Sequence, residues 1–277
     1  MTAAPSGGTP VAVNGPAADG AWLPSGLTWQ AHGHGAPVTL VVPGLGATPG
    51  EARIPASGLP GTRVVLTLPS HGHAPDAEPG YWRYPRLAAE VAAVADRVGA
   101  TRAVGVSLGA GALTRLVAEQ PDRFERLALL LPAALDGPRS PTASRRLHHL
   151  ATAVDQALDH GDDTALRDLV TAEVPAGVAV GDHVSARTQA LLRLRDALHE
   201  LPGQSPLGDL GRAADVLAGV QAKVLVIGAT RDPLHPREVA EAVADAIGGA
   251  ELELFDSPAP LLTHRAQVRE RLRSFLA

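Results

Sequence analysis

The stretch AVGVSLGAGAL, residues 103–113, carries the strongest structural signal in the chain. An apolar run ends near Gly105, a lone serine follows at Ser107, and further glycines come directly after it. The pattern G-x-S-x-G between a predicted strand and a predicted helix is typical of a serine on a sharp turn. Such a turn crowds Gly105 and Gly109 and places the hydroxyl at a helix N-terminus, which favours negative charge. The stretch therefore predicts an exposed serine nucleophile, with an ordinary turn serine as the alternative.

Short apolar runs recur along the chain and predict the strands of one sheet. Most are apolar on both faces, as parallel strands covered by helices are, and the last alternates as an edge strand does. Apolar residues at helical spacing predict helices over 86–98, 236–247 and 266–276. Strand alternating with helix predicts an α/β fold with a mostly parallel central sheet flanked by helices. The predicted strands are 27–33, 38–44, 62–69, 102–107, 126–132, 222–228 and 250–255.

The alternation breaks between residues 133 and 220. Helical signals follow one another there without a strand, over about 141–159, 163–172 and 182–200. A helical block inserted after one strand of a parallel sheet predicts a lid. The predicted parts are a flexible N-terminal arm over 1–20, a core formed by 21–135 and 206–277, and a helical lid over 136–205.

Composition excludes several classes of protein. The 277 residues carry a net charge of −5 and include no cysteine, which excludes disulfides, thiolate catalysis and cysteine-bound metals. No basic block indicates a nucleic-acid or anionic-membrane partner. No apolar run approaches the about 20 residues that a membrane span needs. Residues 1–20 lack the features of a signal peptide, so we expect a soluble cytoplasmic protein; its oligomeric state, monomer or homodimer, stays open.

The chain resembles the α/β-hydrolase superfamily of serine hydrolases over nearly all of residues 27–277. Besides the G-x-S-x-G turn, GATRDPLHP (228–236) matches the acid loop of that family, and TLPSHGHA (67–74) partly matches its D-L-P-G-H-G-x-S loop. The resemblance implies a nucleophile, an acid and a histidine in that chain order. It also implies a core sheet that carries all three at the carboxyl ends of its strands.

The resemblance assigns a catalytic triad to Ser107, Asp232 and His264. His264 lies in SPAPLLTHRAQV, after the last predicted strand, and would remove the proton of the Ser107 hydroxyl. Asp232 would orient the imidazole and stabilise its charged form.

Three other residues compete for these roles. Asp256 follows the last strand, and Asp136 follows an earlier strand at which some relatives place the acid. His235 is the rival of His264, and we expect it to be too close in sequence to Asp232 to be its partner.

The resemblance also implies an oxyanion hole made of two backbone N–H groups. Leu108, the residue after the serine, supplies one, and Leu45 in the loop after the second strand supplies the other. We expect Gly44, Trp82 and Tyr84 as possible pocket residues. The alternative for the two aromatic residues is ordinary core packing.

Two H-x-H sequences, at 32–35 and 70–74, invite a zinc interpretation. Neither has a third ligand at a motif spacing, so we predict no metal site and no cofactor, and we interpret His71 and His73 as loop architecture.

The resemblance implies a hydrolase that attacks a carbonyl through Ser107, because relatives that act on haloalkanes or epoxides use an aspartate nucleophile instead. The expected partner is a small-molecule acyl substrate: a carboxylic ester, lactone or thioester of small to medium size. Alternatives are C–C bond hydrolysis and a non-hydrolytic, ligand-binding or cyclase-like role. One lid arginine is a candidate for binding a substrate carboxylate; the candidates are Arg145, Arg146, Arg167, Arg187, Arg193 and Arg195.

Overall fold

The computed structural model describes residues 23–175 and 182–277. A seven-stranded sheet has the order β1-β3-β2-β4-β5-β6-β7. β1 pairs antiparallel with β3, and every other neighbouring pair is parallel. Each predicted apolar run overlaps one strand, and the predicted fold class is confirmed. The strands are β1 (Thr28–His32), β2 (Val38–Val42), β3 (Thr62–Thr67), β4 (Arg102–Val106), β5 (Arg126–Leu130), β6 (Lys223–Ala229) and β7 (Glu251–Phe255).

The central strands are apolar over most of their length because each of their faces is covered by a separate core. On β5, Leu127 and Leu129 pack into the larger core, whereas Ala128 and Leu130 pack into the smaller one on the opposite face. All four side chains are fully buried. β7 lies at the sheet edge, and its first residues are exposed, as the alternating sequence predicted.

Helices cover both faces of the sheet. α2 (Tyr84–Val98), α3 (Leu108–Glu119) and α9 (Arg237–Ala246) contribute to the larger core, and α11 (Arg265–Phe275) contributes to the smaller one. α2 ends at Gly99 in the left-handed conformation with φ of 66°, as a C-terminal glycine cap does. Three short helices complete the core region: α1 (Pro49–Ala52), α8 (Ala213–Val216) and α10 (Pro260–Thr263).

Five described helices lie between β5 and β6, and the first four of them form what we call the helical insertion. They are α4 (Pro141–His160), α5 (Thr164–Ala172), α6 (His183–Leu192) and α7 (Arg195–Glu200). They share an apolar cluster of their own that includes Leu150, Val154, Leu166, Val170 and Leu191.

The helix predicted over 182–200 is divided, and the structure corrects it. The break at Arg193 and Leu194 buries Leu194 completely, while the Arg193 guanidinium reaches the carbonyl oxygens of Gly72 and Ala74 at 2.8 and 2.7 Å. The predicted arm, 1–20, lies outside the described residues. In the part of the chain that the structure describes, no helix is long and apolar enough to cross a membrane.

Candidate active site

Ser107 lies on the sharp turn between β4 and α3. Its backbone has φ of 51° and ψ of −107°, which is a strained conformation for a residue with a side chain. A Cβ atom on Gly105 would lie 2.5 Å from the carbonyl oxygen of Gly109, and one on Gly109 would collide with the carbonyl oxygen of Val42. The turn therefore requires glycine at both positions and holds the serine at the carboxyl end of β4.

A continuous hydrogen-bonded chain joins Ser107, His235 and Asp232. The Oγ atom of Ser107 lies 2.8 Å from Nε2 of His235, and Nδ1 of the same ring lies 2.7 Å from Oδ2 of Asp232. Both partner side chains are largely shielded, with 15% of His235 and 11% of Asp232 exposed. These are the contacts that a nucleophile, a base and an orienting acid require.

The local turn after β6 explains how two residues only three positions apart can pair. The Oδ1 atom of Asp232 accepts hydrogen bonds from the backbone N–H groups of Leu234, at 2.9 Å, and His235, at 3.3 Å. The aspartate thereby folds the chain back on itself, as aspartates do in tight turns. The His235 ring is brought onto the remaining carboxylate oxygen, and α9 begins immediately after Pro236.

The same hydrogen bonds fix the charge of Asp232 and the tautomer of His235. Burial raises the pKa of Asp232, but hydrogen bonds from the His235 ring and from the two backbone N–H groups outweigh burial, so that its pKa falls below the usual 3.8. Because an ionised carboxylate only accepts, Nδ1 of His235 carries the proton that it donates to Asp232. Nε2 is then free to accept the Ser107 hydroxyl proton.

The predicted partner His264 is not part of this chain, and His235 takes its place. His264 Nδ1 hydrogen bonds to Thr263 Oγ1 at 2.8 Å, and its ring packs against Phe255 with centroids 5.3 Å apart. The loop after β7 presents Pro258 and Ala259 to the site, neither of which titrates. His264 follows only after the further turn of α10, and this turn carries its ring away from Ser107.

Of the three candidate acids, the structure brings Asp232 alone to a histidine of the site. Asp136 Oδ2 accepts the backbone N–H of Ala213 at 2.7 Å. Asp256 pairs with Arg231 at 2.9 Å and accepts from the Thr230 hydroxyl at 2.8 Å. Both rivals thus have structural partners elsewhere.

The backbone around Ser107 offers two free donors. The N–H groups of Leu45 and Leu108 donate to no protein group among residues 23–175 and 182–277, and both residues line the same pocket as Ser107. The Leu45 loop packs directly against the turn, because a Cβ atom on Gly44 would lie in van der Waals contact with the Ser107 Cβ, at 3.5 Å. This is the arrangement that stabilises an oxyanion.

The peptide group that follows Leu45 is held at both ends. Its carbonyl oxygen accepts from Nη1 of Arg187 on α6 at 3.0 Å, and its N–H, on Gly46, donates to Nε2 of His71 at 2.7 Å. His71 Nδ1 in turn donates to the carbonyl of Pro69 at 2.9 Å. His71 was interpreted as loop architecture, and the structure gives that architecture a specific contact with the Leu45 loop.

His71 is neutral because it is enclosed. Only 2% of the residue is exposed, and burial lowers its pKa to about 4. The hydrogen bond to the Pro69 carbonyl opposes this shift, while the nearby Arg187 and Arg193 guanidinium groups add to it. His73, by contrast, is exposed. Among the described residues, no three histidine, cysteine, aspartate or glutamate side chains converge as a metal site requires.

Ser107, His235 and Asp232 open onto a cavity of about 350 Å³, which we call the pocket. Gly44 lines it as predicted. Trp82 and Tyr84 do not: they are 1% and 2% exposed and belong to the larger core. The helical insertion supplies apolar wall residues, namely Leu147, Leu150, Leu191, Leu198 and Leu201.

Comparison with solved structures finds the same fold at low sequence identity. An enol-lactonase from Burkholderia xenovorans LB400 has a TM-score of 0.68 at 20% identity, with 90% of this chain and 96% of that chain covered. An esterase from Exiguobacterium antarcticum has a TM-score of 0.72 at 16% identity, covering 90% and 95%. A 2-hydroxy-6-oxo-6-phenylhexa-2,4-dienoate hydrolase from Rhodococcus sp. strain RHA1 has a TM-score of 0.70 at 19% identity, with 90% of this chain and 94% of that chain covered.

The chain therefore has the α/β-hydrolase fold. A scan against protein-family models finds no matching model, and a search of curated protein sequences finds no significant match.

Proposed function

We propose that the protein is a serine hydrolase that cleaves a carboxylic ester, lactone or thioester of a small to medium acyl substrate. The observation that carries this proposal is the hydrogen-bonded chain from Ser107 through His235 to Asp232, at the mouth of a largely apolar pocket. The structural neighbours support the class, because their names describe an esterase, a lactonase and a hydrolase.

Acylation follows from the roles that the hydrogen bonds define. Ser107 Oγ attacks the carbonyl carbon while its proton passes to Nε2 of His235, and the ionised Asp232 stabilises the imidazolium that forms. The carbonyl oxygen becomes an oxyanion and accepts from the N–H groups of Leu45 and Leu108. One such donor is typically worth about 10²–10³ in rate. His235 then returns the proton to the leaving oxygen or sulfur as the bond to the acyl carbon breaks.

Deacylation uses the same groups in reverse. A water molecule attacks the acyl carbon, His235 Nε2 takes its proton, and the second oxyanion forms at the same two N–H groups. Collapse of this intermediate returns the proton to Ser107 Oγ and releases a carboxylic acid.

The pocket supports the proposed substrate size. A volume of about 350 Å³ lies at the small end of ligand cavities, and apolar side chains form most of its wall. The helical insertion forms one side of this wall, and we assign it the role of a lid. A purely ligand-binding role would not require an intact nucleophile, base and acid, so we favour an enzyme.

Turnover of a p-nitrophenyl ester series from acetate to octanoate tests the proposal. The wild-type protein should hydrolyse the shorter esters, and Ser107→Ala should lose at least about 10³-fold in kcat/KM. Ser274→Ala is the matched control, because Ser274 is exposed on α11 and should leave turnover unchanged. Equal turnover by wild type and Ser107→Ala would overturn the proposal.

A further inference from the structure

The pocket contains more fixed charge than the proposed chemistry uses. Besides Asp232, five charged side chains line it: three of them form ion pairs with one another, and a fourth lies beside a histidine. Arg146 and Arg187 approach the Glu173 carboxylate at 3.7 and 3.8 Å. Glu51 lies 3.6 Å from His183 Nδ1 and accepts from the Thr48 backbone N–H at 2.8 Å. The fifth is Arg139.

Arg139 is a cation that has no anion beside it in the described part of the chain. No carboxylate there lies within 4 Å of its guanidinium, and its buried Nε atom has no hydrogen-bond partner. Within the described residues its guanidinium makes one hydrogen bond, from Nη2 to the Tyr84 hydroxyl oxygen at 3.3 Å. Burying a donor of a charged group without a partner is unfavourable, so the site is one that an anionic ligand would complete.

The loop that carries Arg139 places it at the reactive edge of the sheet. Arg139 lies between β5 and α4, and β5 is the parallel neighbour of β4, which ends at Ser107. Leu131 and Ala133 of the same loop line the pocket together with Arg139. The guanidinium and the serine hydroxyl therefore face one cavity from adjacent strand ends.

The contact with Tyr84 holds the guanidinium in place. Tyr84 is 2% exposed, and its ring lies so close to α3 that a Cβ atom on Gly111 would be 2.5 Å from Cε1. A fixed phenol therefore restrains Nη2, while the second N–H of Nη2 and both N–H groups of Nη1 donate to no group in the described part of the chain. A planar guanidinium with two adjacent free donors matches a carboxylate in a bidentate pair.

We propose that Arg139 binds a carboxylate on the acyl part of the substrate, so that the enzyme prefers monoesters of short dicarboxylic acids. This inference rests on the proposed function and names its substrate class. A singly charged carboxylate fits better than a phosphate monoester, because Glu51 and Glu173 line the same pocket and would repel a dianion.

The six arginines that the sequence suggested for this role have other partners. Four of them do not line the pocket, and the remaining two share Glu173. Arg139, which precedes the insertion helices, was not among them. The signal that identifies it is the missing counter-ion, which only the three-dimensional structure provides.

Two substrates that differ only in charge test this inference: p-nitrophenyl hemiglutarate and its methyl ester. Wild type should have the higher kcat/KM for the hemiglutarate. Arg139→Gln should reduce that kcat/KM about 10–100-fold and change the value for the methyl ester by less than about 3-fold. Arg139→Lys should restore part of the preference. Arg145→Gln, an exposed arginine on α4, is the matched control and should behave as wild type.

The outcomes separate this inference from the proposed function. An equal loss for both esters would mean that Arg139 only supports the fold through Tyr84, and no loss for either would mean that it contacts no substrate; both results overturn the inference. If wild type cleaves neither ester, calorimetric titration with monomethyl glutarate, which carries a single carboxylate, decides. Binding by wild type that Arg139→Gln abolishes keeps the carboxylate site and rejects ester hydrolysis. Equal binding by both proteins, or binding by neither, rejects the site.

Discussion

The loops after β6 and β7 leave neighbouring strands at the same edge of the sheet, and each carries a histidine. After β6, the Asp232 carboxylate caps a tight turn and holds His235 against Ser107. After β7, the Ser257 hydroxyl bonds to Thr263 and to the Ala259 backbone N–H, which closes a different turn. His264 emerges from that turn at the start of α11.

The difference teaches that the reach of a loop histidine depends on the local hydrogen bonds that fold the loop. A position after the last strand is not sufficient to bring a histidine to Ser107. In the β7 loop the residues that face the pocket are Pro258 and Ala259, so the loop from which we expected the base offers no titratable group to the pocket. A histidine three positions after the acid takes the place instead.

Replacing each of the two histidines by alanine gives the largest expected difference in activity. His235→Ala should lower kcat/KM for a p-nitrophenyl ester by at least about 10³-fold, because Ser107 loses the base that accepts its proton. His264→Ala should change it by less than about 3-fold, since its ring contacts only Thr263 and Phe255. Steady-state kinetics at pH 8 measures both.

Far-UV circular dichroism and a thermal melt serve as the control for folding in both variants. A large loss of activity in a well-folded His264→Ala, with His235→Ala near wild type, would reverse the comparison between the two loops.

Asp232 and Asp256, one in each loop, extend the comparison, and their replacement should change activity less than replacement of the histidines. Asp232→Asn should lower kcat/KM about 10²–10⁴-fold: the amide oxygen can still cap the turn, but the amide N–H₂ favours the wrong tautomer of His235. Asp256→Asn, in the β7 loop, should retain nearly full activity because Asp256 pairs only with Arg231 and Thr230. Comparable losses in the two variants would argue against the assignment of the acid.

Much of the fold and part of the site could be predicted from the sequence. Buried parallel strands must be apolar on both faces, so the five inner strands were evident, and the crowding at Gly105 and Gly109 fixed the turn at Ser107. Asp232 was the predicted acid because GATRDPLHP, the loop after β6, resembles the acid loop of the α/β-hydrolases, with Asp136 and Asp256 as rivals. The strands and the turn are short-range consequences of strand burial and turn sterics.

The remaining features of the site and fold depend on contacts that the spacing of residues in the sequence does not encode. Whether His235 or His264 reaches Ser107 depends on two competing side-chain turns, which the sequence does not rank. Aromatic residues are scarce, which suggested Trp82 and Tyr84 as pocket residues. Instead Tyr84 packs against Gly111 of α3, and Trp82 packs against the rings of His71 and Tyr81, so both are buried in the core. The break at Arg193 arises from its long-range contacts with the loop of Gly72 and Ala74.

A third histidine, His71, is tested through the pH dependence of stability, and we expect its replacement to affect catalysis least. His71 has a folded-state pKa of about 4 against an ordinary value of 6.5, so the unfolded chain binds the proton more readily. The contribution of neutral His71 to the free energy of unfolding is complete above pH 6.5. It is lost as the pH falls toward 4, by about 3 kcal/mol in total. Urea unfolding at pH 7 and pH 4.5 should therefore show a smaller loss of stability in His71→Gln than in wild type. An identical loss in both proteins would mean that His71 is not held neutral.

The central claim is that His235, and not His264, activates Ser107. The most direct measurement is the rate at which a fluorophosphonate labels the protein, followed by intact mass spectrometry, because it reports serine reactivity without a known substrate. Wild type and His264→Gln should be labelled once, at Ser107, at similar rates, whereas His235→Gln should be labelled at least about 10²-fold more slowly. Rapid labelling of His235→Gln together with slow labelling of His264→Gln would contradict the account.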